Sequence, residues 1–241
     1  MRGTRTSVAV AALGLCLAGT AACGGGGDEA FKGQSADQIA AKAVEATRQA
    51  ESMHMKGTVV QSGGQKVGID LAVDSQKNCQ GTVTNAQAVS DIRHKDATLY
   101  VKGNSAYWQA SLKQQPQSEK MVPKVADKWV RVPADDDQLT GLCDKQGLLA
   151  SMDEDKSERQ GMSRGDTTTI DGKKAVELKK QKDGATQSMF VAADGKPYVL
   201  KVTTTGTKAE TTVFTDYNKP VDPPQPPADQ TVDLKQLAAQ K

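Results

Sequence analysis

Aromatic side chains are scarce in this chain of 241 residues: three Phe, two Trp and four Tyr, or 4% of the total. A site built from many stacked rings is excluded, and any core or cavity must be lined mainly by aliphatic residues. Histidine is scarcer still, with only His54 and His94. Both fall in segments of alternating polarity and are expected as exposed strand residues. Zinc sites and nucleophile–base pairs call for more imidazoles or for neighbouring thiolates, so no metal or catalytic histidine is expected. Neither sign of charge dominates, with 31 Lys and Arg against 29 Asp and Glu. No basic face marks the chain for nucleic acid or for an anionic membrane surface. Long apolar runs are missing as well. Beyond residue 23 no stretch approaches the roughly 20 apolar residues of a membrane-spanning helix.

The N-terminus carries the most specific signal. Arg2 and Arg5 precede a short apolar stretch over residues 8–17, and small residues lead to Cys23. Basic, apolar and small segments in this order form a secretory signal. A cysteine at the first mature position marks a lipoprotein signal rather than an ordinary secretory one. We expect residues 1–22 to be removed and Cys23 to carry the lipid. Thr20 departs from the pattern, because the position three before the cysteine usually holds an aliphatic residue. Cys16 is a poorer acceptor, since Leu15 before it is not small. Cleavage takes two of the 31 basic residues, which leaves the mature chain with a formal charge of about zero. Two acyl chains hold a protein on a bilayer where one is marginal. The expected location is the extracytoplasmic face of the cell membrane, with residues 23–34, opened by Gly24–Gly27, as a tether.

Two cysteines remain, Cys79 and Cys143. In a compartment that allows oxidation they form one pair, and a disulfide is expected over two free thiols.

Residues 35–52 read as a helix, with Ser35 and Gln38 placed for a capping box and Ile39, Ala43, Ala46 and Ala50 at helical spacing. The period then changes to two. Met53, Met55, Gly57 and Val59 alternate with polar residues, as do Val67, Ile69, Leu71 and Val73, around a Gly63-Gly64 turn. Further strands are expected over 79–84, 88–93, 98–102 and 128–133. A second meander follows over 175–180, 186–192, 198–204 and 210–215, punctuated by Asp171-Gly172, Asp183-Gly184 and Asp194-Gly195. Short helices are expected over 105–112 and within 138–149. Residues 220–227 are extended and proline-rich, and 231–239 is expected to pack back as a helix. The fold class is therefore α+β: one domain over 35–241, an open antiparallel sheet that curls, covered on its apolar face by helices, with a helical insertion near 105–149.

Three apparent motifs dissolve on inspection. Gly161-Met162-Ser163-Arg164-Gly165 has the spacing of a hydrolase elbow, but its flanks are polar and it reads as a surface turn. Asp135–Asp137 with Asp153, Glu154 and Asp155 lacks the alternating oxygens and central Gly of a calcium loop. Gly24–Gly27 has no strand, lysine or helix around it and is no phosphate loop. No catalytic constellation emerges, so neither an enzyme nor a cofactor is expected.

The cysteine signal, the tether, "AVEATRQAESMHMKGTV", "ATLYVKGNSAYWQA" and "DKWVRVP" together resemble the LolA/LppX-type lipoproteins of high-GC Gram-positive bacteria. The resemblance implies a half-barrel, a curved antiparallel sheet wrapped around helices, and relatives that hold lipid between sheet and helices and ferry it across the envelope. Lining residues under that reading are Met55, Val59, Val67, Ile69, Leu71, Leu99, Val101, Trp108, Trp129, Phe190, Leu200 and Phe214. A simple core needs these same residues, and the two Trp also suit the anchoring of the insertion. Two functions follow. One is carriage of a hydrophobic ligand, a lipid, with the insertion as lid. The other is a cavity-free scaffold that binds a protein partner at the membrane surface.

Overall fold

The computed structural model describes residues 30–60, 64–96, 98–115, 117–132, 141–152, 159–206, 209–233 and 237. The signal, Cys23, most of the tether and the acidic runs at 135–137 and 153–155 lie outside the described residues.

Helix α1 (Ala36–Gln49) opens on Ser35, whose hydroxyl accepts from the Gln38 backbone while the Gln38 side chain accepts from the Ser35 N–H. This is the expected capping box, which satisfies two of the four unpaired N–H groups at the helix start. Ile39, Ala40, Ala43 and Thr47 form its buried stripe. The chain then enters β1 (Ser52–Val60), β2 (Lys66–Asp74), β3 (Cys79–Asn85), β4 (Ala88–Lys95) and β5 (Thr98–Gly103). Helices α2 (Ser105–Ser111) and α3 (Ser118–Val125) lead to β6 (Trp129–Val132). A 3-10 turn at Gly141–Cys143 and helix α4 (Lys145–Met152) precede the second meander. That meander comprises β7 (Ser163–Ile170), β8 (Lys173–Lys182), β9 (Ala185–Ala192), β10 (Val199–Thr204) and β11 (Glu210–Thr215). A last strand, β12 (Thr231–Asp233), closes the order.

All twelve strands belong to one large, open, curved sheet in the order β12-β6-β5-β4-β3-β2-β1-β11-β10-β9-β8-β7. The two meanders join where β1 pairs with β11, Gly57 opposite Thr212 and Met55 opposite Phe214. The Asp-Gly turns behave as the sequence implies. Asp171 and Gly172, and Asp183 and Gly184, all take positive φ, the geometry of a tight hairpin turn.

Alternation along the strands divides the sheet into two faces. The inner face packs Met53, Met55, Leu71, Val73, Leu99, Val101, Val130, Val176, Leu178, Val191 and Phe214 against Ile39, Ala40 and Ala43 of α1 and Trp108, Val122 and Val125 of the insertion. Helix α1 lies over β7, β9 and β10, and α2 lies over β4 and β5. The outer face carries a smaller cluster of Ala175, Ala192 and Leu200 with Phe190 and Tyr217.

Three expectations are corrected, and helix α3 adds an element within the expected helical insertion. Thr231–Asp233 is a strand, not part of a helix, and it pairs parallel to β6 with Val232 opposite Val130, so the sheet is not wholly antiparallel. Of the surface turn expected at Gly161–Gly165, the residues from Ser163 onward belong instead to the edge strand β7, and both faces of an edge strand can stay polar. Helix α3 forms despite Pro123, which falls in its last turn. Phe31 is buried in the core cluster, so the packed domain begins before the expected tether ends.

The disulfide forms between Cys79 and Cys143, with Cα atoms 5.3 Å apart, and fastens the insertion to β3. Beside it the Lys145 ammonium is buried and donates to the Arg48 carbonyl at 2.8 Å, satisfying the end of α1; burial pushes its pKa down.

Candidate functional site

The twelve sequence-derived lining residues do not form one surface. Met55, Val67, Leu71, Leu99, Val101, Trp108 and Phe214 are all 5% exposed or less. A void wide enough for an acyl chain would leave its lining open to a water-sized sphere, so these seven fill the core. Trp108 meets Tyr107 edge-to-face at 5.0 Å and anchors α2 to the sheet. Leu200 and Phe190 belong to the outer cluster. Leu200 lies at an irregularity between Val199 and Lys201, where the register shifts, so simple alternation misassigns its face. Trp129 also faces outward, beneath the Arg93 guanidinium at 4.2 Å.

Val59 and Ile69 are different, because both are only half-buried. The pairing places Ile69 in one row across six neighbouring strands: Val83, Ile69, Gly57, Thr212, Val202 and Met189. Every residue of that row is half-buried. The parallel row one step along the strands, through Leu71, Met55 and Phe214, is closed. The half-covered row spans about 24 Å at the usual strand spacing. Sequence alone did not single out Val83 or Met189, because the row is made by pairing and not by local pattern.

A concavity lies on the outer face. It is a groove of about 620 Å³ between β1–β4 and the segment that follows β11. Of the twelve predicted residues, Trp129 lines it. The covering segment is pinned at one end by Asn218, which donates its N–H to the Ser52 carbonyl and accepts from the Glu51 N–H. Farther along, Arg93 Nη1 donates to the Pro224 carbonyl at 3.1 Å and Lys95 pairs with Asp222 at 2.5 Å. Pro223 and Pro226 are buried. Tyr198 and Tyr217 stack at 4.1 Å, and burial pushes the Tyr217 phenol up while its hydroxyl donates to the Val199 carbonyl.

His54 faces this groove, half-buried, with Nε2 2.6 Å from Asp70 Oδ1 and Nδ1 3.9 Å from Asp216. His94 is buried on the inner face, its Nδ1 2.6 Å from the Lys77 carbonyl. Neither is the exposed residue that alternation implied. Among the described residues no group of three or more His, Cys, Asp and Glu is placed to hold a metal ion. Ser163 of the elbow-like motif is exposed and donates to the Lys179 carbonyl at 3.2 Å. The two residues before it donate their N–H groups to Asp37.

Among the described residues three carboxyls titrate below their ordinary value of 3.8. Lys56, then His54, lowers Asp70; the Gly147 backbone N–H leads at Asp144; Lys219 leads at Asp216. A depressed folded pKa adds stability above the unfolded value and loses it as pH falls through the folded one. The thermal midpoint should hold from about pH 7 to 5 and fall below about pH 4. Asp70→Asn should lower the midpoint at neutral pH and flatten that acid slope. A variant whose slope matches the wild type would show that the Asp70 cluster contributes nothing.

No protein-family model and no curated protein matches the sequence. Among solved structures, the chain is similar to the lipoprotein LppX of Mycobacterium tuberculosis, with a TM-score of 0.47 and 14% identity over 77% of this chain and 96% of that one. It is similar to the MucA/MucB complex of Pseudomonas aeruginosa at a TM-score of 0.34 and 15% identity, covering 81% of this chain and 59% of that one. It is similar to PNGF-II at 0.25 and 11%, covering 78% of this chain and a third (33%) of that one. These are likenesses of shape.

Proposed function

We propose that the protein is a lipid-anchored lipoprotein on the extracytoplasmic face of the membrane of a high-GC Gram-positive bacterium, and that it binds a hydrophobic ligand on the inner face of its sheet. The signal over residues 1–22 and the small residues before Cys23 support the anchor. The half-covered row from Val83 to Met189 is the observation that carries the binding. It offers a track in which Val83, Ile69, Val202 and Met189 flank Gly57 and Thr212, of the length of a long acyl chain. Each methylene buried there would contribute about 0.8 kcal/mol. The rows packed beside it form the wall, with α1 over its β9–β10 end and the insertion fastened to β3 at the other.

Titration of the mature protein with cis-parinaric acid tests this reading by fluorescence. Saturable binding is expected. Ile69→Asp and Val202→Asp, each placing a charge on the track, should weaken it at least tenfold, about 1.4 kcal/mol. Lys124→Ala, on the exposed side of α3, should bind as the wild type does. The closed packing at Leu71, Leu99 and Val101 favours a second reading, a solid scaffold for a protein partner. Absence of saturable binding, or equal binding by both Asp variants, would leave that reading standing and remove the first.

A further inference from the structure

The groove under the C-terminal segment lies on the face opposite that track and has different chemistry. Its wall on β3 and β4 is a quartet set by register: Gln80 stands opposite Arg93, and Thr82 opposite Asp91. Thr82 Oγ1 donates to Asp91 Oδ1 at 2.9 Å, which fixes that carboxylate. Among the described residues Asp91 Oδ2 and the Gln80 amide take no partner. The Arg93 guanidinium lies over the Trp129 ring, and one of its N–H groups reaches Pro224. Its other N–H groups face no described acceptor.

The wall thus presents an oriented carboxylate acceptor, an oriented guanidinium donor and an amide that does both. One negative and one positive charge balance. Two further carboxylates line the groove, Asp70 beside Thr82 on β2 and Asp216 beyond β11, and they are already matched by Lys56 and Lys219. A polyanion would face three carboxylates, and an apolar ligand would strand the polar groups. Adjacent hydroxyls, each donating and accepting, suit the quartet. A space of about 620 Å³ is of ligand size. We propose that this groove is a binding site for a neutral polyhydroxylated ligand of one or two sugar rings, enclosed by the segment that follows β11.

Trp108 and Trp129 are the chain's two tryptophans, so a Trp108→Phe background isolates the groove fluorophore. Titrating the full mature protein with D-glucose and with maltose should give a saturable change in emission from at least one of them. Inorganic phosphate and glutamate should give none. Asp91→Asn should weaken sugar binding roughly tenfold, the loss of a hydrogen bond to a charged group. Gln80→Ala, which leaves the Thr82–Asp91 and Arg93–Trp129 contacts in place, should weaken it as well. The proposal is overturned by no saturable response to either sugar, by a response to the anions alone, or by unchanged affinity in Gln80→Ala.

Discussion

Replacing Cys143 with serine should lower the thermal midpoint by about 10 °C. The bridge to Cys79 spans 64 residues of sequence. Constraint of a loop of that size in the unfolded chain contributes about 4 kcal/mol in the chain-entropy model. For a domain of this size each kcal/mol shifts the midpoint by about 2–4 °C. The loss should also be local in kind. Cys143 leads directly into Asp144, which pairs with Lys77 at 3.5 Å, and Lys145, which caps the end of α1. Hydrogen exchange in Cys143→Ser should therefore rise first in α4 and the last turn of α1, while β8–β9 keeps its protection. A midpoint within about 2 °C of the wild type would mean that packing of the insertion, and not the bridge, fixes it.

Gly57→Val should be nearly as damaging, by about 3 kcal/mol or more, although valine favours strands. A Cβ at Gly57 would run into the backbone carbonyl of Thr211 on the neighbouring strand. No side-chain rotation relieves a clash with backbone, so the cost lies at or above the upper end of ordinary overpacking. The position matters because β1–β11 is the seam between the two meanders. Chemical denaturation should show a lower midpoint together with early loss of protection in β11. A Gly57→Val protein as stable as the wild type would show that the seam moves apart at little cost.

How much of this could be read from the sequence depended on how local the signal was. The capping box at Ser35, the alternation of Val67, Ile69, Leu71 and Val73, and the Asp-Gly turns are local, and each produced its element. The open curved sheet followed from them. The β1–β11 seam is not local: Gly57 and Thr212 are far apart in sequence and nothing near either announces the other. β7 escaped because the edge of a sheet needs no apolar stripe. Thr231–Asp233 escaped because a three-residue strand has too few positions to show a period.

The candidate site was harder. Trp108 and Trp129 both border the insertion, yet one enters the inner core and the other lies on the outer face. Which face a residue takes depends on register, and one irregularity near Val199 moves Leu200 to the other side. Composition identified aliphatic strand residues but not their closure. Leu71 and Ile69 are two residues apart in one strand, and only the first is sealed. That distinction comes from what packs above them, which no local pattern encodes.

The proposed function rests on a hydrophobic ligand seated along the row from Val83 to Met189. Native mass spectra of the protein, released from an actinobacterial host and recorded before and after organic extraction, test it most directly. Extractable adducts of lipid mass are expected on the wild type and should be lost from Ile69→Asp. A bare polypeptide mass from that host, with no uptake of added lipid, would contradict it.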